Sequence, residues 1–209
     1  MSYKNILVHL DRKDILENRV RIAANLAKAD DGHLLGVATI GISATQSSYF
    51  YSPQDLAFAE HMKYLRYKAG QFVEEFKEEV KSTGLEAYEG RVVEGDASSS
   101  VSLLARINDL VVIGRTNLDA TGVSVTPDFP EFVMMNSGRP ILIIPPDYPK
   151  ETVGQKAMIC WNASRESIRA VADALPLLEK AELVQVVMFN VEDEADMDAT
   201  AGGSDIAAY

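Results

Sequence analysis

The chain has 209 residues, enough for one large domain or for one medium domain followed by a further piece. Apolar residues make up 47% and charged residues 24%, an ordinary globular balance. The formal net charge of −11, with no stripe of Lys and Arg to offset it, argues against a nucleic-acid backbone or an anionic membrane as the main partner. The one cysteine, Cys160, excludes an intramolecular disulfide, and its apolar neighbours Ala157, Met158, Ile159 and Trp161 predict a buried thiol. The opening MSYKNILVHLD lacks the apolar stretch of a signal peptide, and no run approaches the ~20 apolar residues of a membrane span, so a soluble cytoplasmic protein is expected.

In chain order, Asn5 to Leu10 is short, apolar and β-prone. A helical pattern follows from Asp14 to Ala29, with Ile15, Ile22, Ala23, Leu26 and Ala27 at three- and four-residue spacing. Gly32 breaks it, and Leu34 to Ile40 is a second buried strand. Gly41 to Tyr51, rich in Ser, Tyr and Gly, reads as a loop. A long amphipathic helix starts near Pro53 or Asp55 and runs to Ser82, ended by Gly84. Ala87 to Val93 is a third strand, Gly95-Asp96 a turn, and Ala97 to Ile107 a short helix that Gly95-Asp96-Ala97-Ser98 opens. Leu110 to Ile113 is a fourth strand, stopped by Gly114. A polar loop, a short helix near Pro130 to Met135 and a fifth strand, Pro140 to Ile144, complete the series. Alternating strands and helices, the strands apolar throughout, indicate a parallel sheet covered on both faces, hence an open doubly wound α/β fold.

Pro145 to Thr152 is Pro-rich and charged, a linker. The pattern then restarts: KAMICW matches NILVHL in position and type, Ser164 to Leu178 repeats the first helix, and Leu183 to Val191 repeats the second strand. The acidic stretch EDEADMDATAGGSD reads as a loop, and IAAY as the first turn of a helix. The domain reading is therefore a complete module over residues 1–146, a linker over 147–154 and a partial second module over 155–209.

Three features together resemble the universal stress protein family: NILVHLD, with Asp11 at the carboxyl end of the first strand; Gly95-Asp96 leading a short helix into DLVVIG, Asp109 to Gly114; and SGRPILIIP, Ser137 to Pro145. Their spacing runs continuously over residues 4 to 146, and the second half looks like the start of the second module of tandem members. The resemblance implies a Rossmann-like sheet of the adenine nucleotide alpha-hydrolase-like kind, with strand order 3-2-1-4-5. A homodimer is expected on other grounds: the partial second module, strand–helix–strand only, buries too little surface alone and leaves sheet edges open to pairing. The resemblance also implies a ligand crevice where the winding reverses, between the first and fourth strands. Its residues would be Asp11, Ile40, Gly114, Arg115, Thr116, Asn117 and Asp128. Family members that bind ATP use an acid at the Asp11 position and hold phosphates with Gly, two residues, Gly, nine residues, Gly, then Ser or Thr, a loop whose amides approach phosphate oxygens.

This sequence departs from that pattern where the phosphates would sit. Gly114 fills the first position, but Asn117, Pro127 and Asp128 replace the later ones. Proline offers no amide donor, and Asp128 would put a carboxylate at a helix N-terminus, where it could cap that helix itself and repel phosphate. The reading is a non-catalytic stress-response protein that binds a small ligand (a nucleoside, a monophosphate or another) or protein partners, with no cofactor required and ATP/Mg²⁺ disfavoured. The alternative is a nucleotide-binding switch with slow ATP hydrolysis, carried by Asp11, Gly114, Arg115 and Mg²⁺. A nucleotide alpha-hydrolase-type enzyme would need a further reactive group that the sequence does not offer.

The remaining candidates have simpler readings. In the second copy Asn162 stands at the position of Asp11, and Asn162 or Ser164 reads as a helix cap. His9, His33 and His61 are isolated in sequence and read as structural or surface residues rather than metal ligands. Ser98, Ser99 and Ser100 lack a nucleophile elbow or a His–acid set. Tyr49, Phe50, Tyr51, Phe58, Tyr64 and Tyr67 read as packing of the long helix and its entry loop, with an apolar lid or interface as the other possibility.

Overall fold

In a computed structural model of the chain, residues 2–11, 13–41, 56–115, 126–189 and 203–208 are described. The chain divides into two compact units, residues 2–151 and residues 152–209.

The larger unit holds β1 (Asn5–His9), α1 (Lys13–Ala29), β2 (His33–Thr39), α2 (Leu56–Thr83), β3 (Tyr88–Val93), α3 (Ala97–Ala105), β4 (Leu110–Gly114), α4 (Phe129–Ser137) and β5 (Ile141–Ile144). All five strands run parallel in the order β3-β2-β1-β4-β5, as the resemblance implied. Such a sheet needs a covered face on each side, and the strand sequences supply one through alternate residues. Leu7, Leu35, Val37, Val111 and Ile113 form one core with Ala97, Val101 and Ala105 of α3 and Phe129 and Val133 of α4. Against the sheet α1 packs on β1, β2 and β4, and α2 on β2 and β3. Val20, Ile22, Ala23 and Ala27 of α1 are fully buried, as are Phe76 and Val80 of α2.

The edge strand β3 departs from the uniformly apolar expectation. Glu89, Arg91 and Val92 are exposed, and Arg91 pairs with Glu89 along it, which blunts the edge against pairing with another chain. Its seat under α2 is made by two glycines in register, Gly36 of β2 and Gly90 of β3. A Cβ on Gly36 would lie 2.8 Å from the Phe76 ring, and one on Gly90 would lie 3.3 Å from it. The paired glycines open a slot filled by the Phe76 ring and, over Gly90, by Val73 Cγ1, 2.8 Å from where that Cβ would lie.

Long-helix packing runs through Ala69, Val73, Phe76 and Val80, which recur at helical spacing and are buried. Tyr64 and Tyr67, expected among the packing aromatics, are instead 55% and 64% exposed. They lie off that stripe, with Lys68 over the Tyr64 ring and Gln71 donating to the Tyr67 hydroxyl. Tyr49, Phe50 and Tyr51 lie outside the described residues.

The smaller unit holds β6 (Lys156–Cys160), α5 (Arg165–Leu178), β7 (Leu183–Val187) and α6 (Gly203–Ala208). Its parallel pair reproduces the bonds of the first β-α-β unit. Trp161 N–H donates to the Val187 carbonyl at 2.9 Å, as Leu10 N–H does to Val37 at 2.8 Å. Ser164 caps α5, accepting from the Ser167 amide, and Asn162 accepts from the Ser164 amide in a local turn. Cys160 is exposed, contrary to the expectation of a buried thiol. The cause is the half-covered sheet: Ala157 and Ile159 alternate with Lys156, Met158 and Cys160, and the latter three are solvent-facing. Among the described residues no helix is long and apolar enough to cross a membrane.

Candidate functional site

The winding of the sheet reverses between β1 and β4, the place where ligands settle in open α/β sheets. Asp11 lies two residues beyond β1 and Gly114 is the last residue of β4. Ile40, one residue beyond β2, is fully buried, its amide donating to the Val93 carbonyl. Arg115 is exposed, its amide donating to the Ile144 carbonyl. Thr116 and Asn117 lie outside the described residues.

What joins Asp11 and Gly114 is a residue the sequence reading passed over. Arg19, on α1, is 1% exposed. Its Nη1 donates to the His9 carbonyl at 2.7 Å and to Asp11 Oδ1 at 2.8 Å. Its Nη2 presses on the backbone of Gly114: a Cβ there would lie 2.1 Å from Nη2. Gly114 therefore makes room for a guanidinium of the chain's own. The signal was present, because Arg19 stands three residues after Leu16 and four before Ala23, inside the buried stripe of α1. A charge on that stripe needs a buried partner, and Asp11 is the acid one helix entry away.

Burial would push the Asp11 carboxyl up, but the Arg19 charge, the His9 ring and the Arg19 hydrogen bond together hold it below the ordinary carboxylate range. His9 is fully buried, its Nδ1 3.9 Å from Asp11 Oδ2. Burial lowers its pKa from 6.5 to about 4; Asp11 opposes that shift and Arg19 adds to it. At neutral pH the floor is thus a neutral imidazole beside one closed ion pair. The His9 ring packs on Phe129, centroids 4.8 Å apart, which ties the first residue of α4 to the end of β1.

Asp128 occupies the N-cap position of α4, but its side chain makes no cap hydrogen bond, contrary to expectation. Two causes are local. Its φ and ψ of −91° and 12° are not the extended pair a capping residue uses, and Pro130 removes a donor from the first turn. Phe129 N–H donates to the Thr126 carbonyl, and Phe132 N–H to the Asp128 carbonyl closes the first helical turn. In α3 the ordinary arrangement holds, Asp96 accepting from the Ser99 amide. Among the described residues no three His, Cys, Asp or Glu side chains gather as a metal site.

The fold is that of the universal stress proteins. With 99% of its length the chain matches 73% of a universal stress protein from Archaeoglobus fulgidus DSM 4304, at a TM-score of 0.69 and 15% identity. It also matches 99% of the universal stress protein UspA from Lactobacillus plantarum with 69% of its own length (TM-score 0.58, 20% identity). A universal stress protein family member from Burkholderia pseudomallei is matched over 96% of its length by 68% of this chain (TM-score 0.51, 21% identity). At these identities the likeness is one of fold. No protein-family model and no curated protein matches the chain.

Proposed function

We propose that the chain is a cytoplasmic stress-response protein of the universal stress type, acting by binding a small ligand or protein partners rather than by catalysis. The carrying observation is the Arg19–Asp11 pair seated on Gly114. The acid that the resemblance assigns to a nucleoside is already engaged, and the space that glycine opens is already filled. Pro127 and Asp128 stand where a phosphate loop would need a glycine and a hydroxyl, so a triphosphate meets a missing donor and a carboxylate. ATP and Mg²⁺ are not required in this reading. Calorimetric titration with ATP and Mg²⁺ tests it: millimolar or weaker affinity supports it, and low-micromolar affinity overturns it.

The second reading is a nucleotide-binding switch with slow hydrolysis. One observation favours it: the Asp128 side chain leaves the α4 N-terminus uncapped, so an anion there would not compete with a side-chain cap. Single-turnover hydrolysis of ATP that is lost in Asp11→Asn would support this reading over the first.

We also propose self-association through the smaller unit, read as the start of a second module. Neither β6 nor β7 has a second strand neighbour among the described residues, and Met158 is 61% exposed on the open face. A strand–helix–strand piece buries little surface against its ordering entropy, and its open edges invite pairing with a second copy.

A further inference from the structure

In the smaller unit a cavity of about 550 Å³ lies between α5, the β6–β7 pair and α6. Leu175 and Leu178 of α5, Ile159 of β6, Val186 of β7 and Ile206 and Ala207 of α6 line it. Such a volume with a mostly apolar wall is that of a small-molecule pocket. The internal repeat shows how the same place is closed in the larger unit. There Val8 stands in register with Gly36, as Ile159 does here with Val186. The Phe76 ring of α2 lies over Gly36, and Val8 and Phe76 are fully buried. Val186 puts a branched side chain where that ring needs a glycine, and α6 brings one isoleucine and one alanine in place of the ring. Ile159, Leu175, Leu178 and Val186 are consequently left half-buried.

We propose that this cavity takes the unbranched aliphatic tail of a single-chain amine, with the ammonium head at Glu179. The site belongs to the smaller unit alone and goes beyond the function proposed above. Val186 selects the tail: it overfills the place that an inserted aromatic ring would need, whereas a polymethylene chain is narrow enough to lie between branched side chains. Each methylene buried there raises affinity roughly fourfold. Glu179 selects the head. Among the described residues of the wall, Gln185 and Glu179 are the polar ones, and Glu179 alone is charged. It is also the C-cap of α5, where the negative end of the helix dipole adds to its field. The last turn of α5 holds no basic residue, and Lys180, the next residue along, does not line the cavity. An ammonium is therefore attracted to the mouth, and a carboxylate head on the same tail is repelled.

Dodecylammonium and dodecanoate, each kept below its micelle-forming concentration, test this, because they share a tail and differ in the sign of the head. The full chain is titrated with each by calorimetry, and the methyl resonances of Ile159, Leu175 and Ile206 are followed. The expected result is a single saturable site for dodecylammonium, roughly tenfold or more tighter than for dodecanoate, with those methyls shifted by the amine. Decylammonium, shorter by two methylenes, should bind roughly tenfold or more weakly than dodecylammonium. Glu179→Gln, a change at an exposed position, should bring the amine and the carboxylate together in affinity. Ala207→Trp, which fills the cavity from α6, should abolish binding of both. Equal affinity of amine and carboxylate in the wild type overturns the proposal, as does an amine that binds without saturation or leaves the three methyls unmoved. Undiminished binding to a folded Ala207→Trp chain also overturns it, and the wild-type readouts decide the matter even if that variant fails to fold.

Discussion

Arg19 and Asp11 form a closed ion pair, Nη1 to Oδ1 at 2.8 Å, with the arginine 1% and the acid side chain 8% exposed. A buried charge that loses its partner is far costlier than the pair is stabilising. Arg19→Met should therefore cost about 3–5 kcal/mol of stability, measured by urea unfolding, and Asp11→Asn a comparable amount. The double variant, which buries no charge, should recover most of the loss. Single-variant losses within about 1 kcal/mol, the range of exposed pairs, would show that water reaches the pair in solution.

The same floor sets an acid limit. Folded His9 stays neutral down to about pH 4, whereas its unfolded counterpart takes up a proton near 6.5. Between these values the unfolded state binds more protons, so stability is full above pH 6.5 and falls as pH drops toward 4. The loss is on the order of 3 kcal/mol, at 1.36 kcal/mol per pKa unit. Asp11, whose folded carboxyl lies below the ordinary value, contributes stability above that value and loses it as pH falls through its folded pKa. His9→Gln should flatten the slope between pH 6.5 and 4 and keep the more acidic limb. Urea midpoints across pH measure both, and a flat wild-type profile in that window would contradict the buried, neutral imidazole.

Much of this fold was legible because it depends on local signals. Apolar runs, helical spacing and the breaks at Gly32 and Gly84 place each element to within a few residues of its observed ends. Asp11 and Gly114 were legible as neighbours because a doubly wound topology brings the ends of the first and fourth strands together. Arg19 was not, because periodicity counts apolar positions and treats a charge among them as an interruption. Cys160 was misread because an apolar run signals burial only where both faces of a strand are covered, and here one is open. Asp128 looked like a cap because residue type is visible in sequence, but φ, ψ and the proline two positions on decide whether the oxygen finds an amide.

The slot under α2 gives a packing test. Gly36→Ala puts a methyl 2.8 Å from the fully buried Phe76 ring, between strands that cannot separate without breaking the ladder. It should cost about 1–3 kcal/mol, the range for overpacking. Adding Phe76→Leu, which shortens the intruding group, should return part of the loss. An unchanged melting temperature in Gly36→Ala would mean that α2 rides higher on β2 and β3 than described.

Cys160 reports on the smaller unit. An exposed thiol on an uncovered sheet face should react fully with a thiol reagent under native conditions at low protein concentration. If a second copy covers that face, reactivity should fall as concentration rises, in step with the mass seen by light scattering. A thiol inert at every dilution would contradict its exposure, and a monomer at micromolar concentration with residues 155 to 191 protected from proteolysis would contradict self-association.

Arg19 fills the space between the ends of β1 and β4. A crystal structure of the full chain grown with millimolar ATP and Mg²⁺ tests this most directly. The expected result is Arg19 still bonded to Asp11 and seated on Gly114, with no triphosphate on the segment that follows Gly114. A nucleotide in the crevice, with Asp11 turned to its ribose and the phosphates over Gly114, would contradict it.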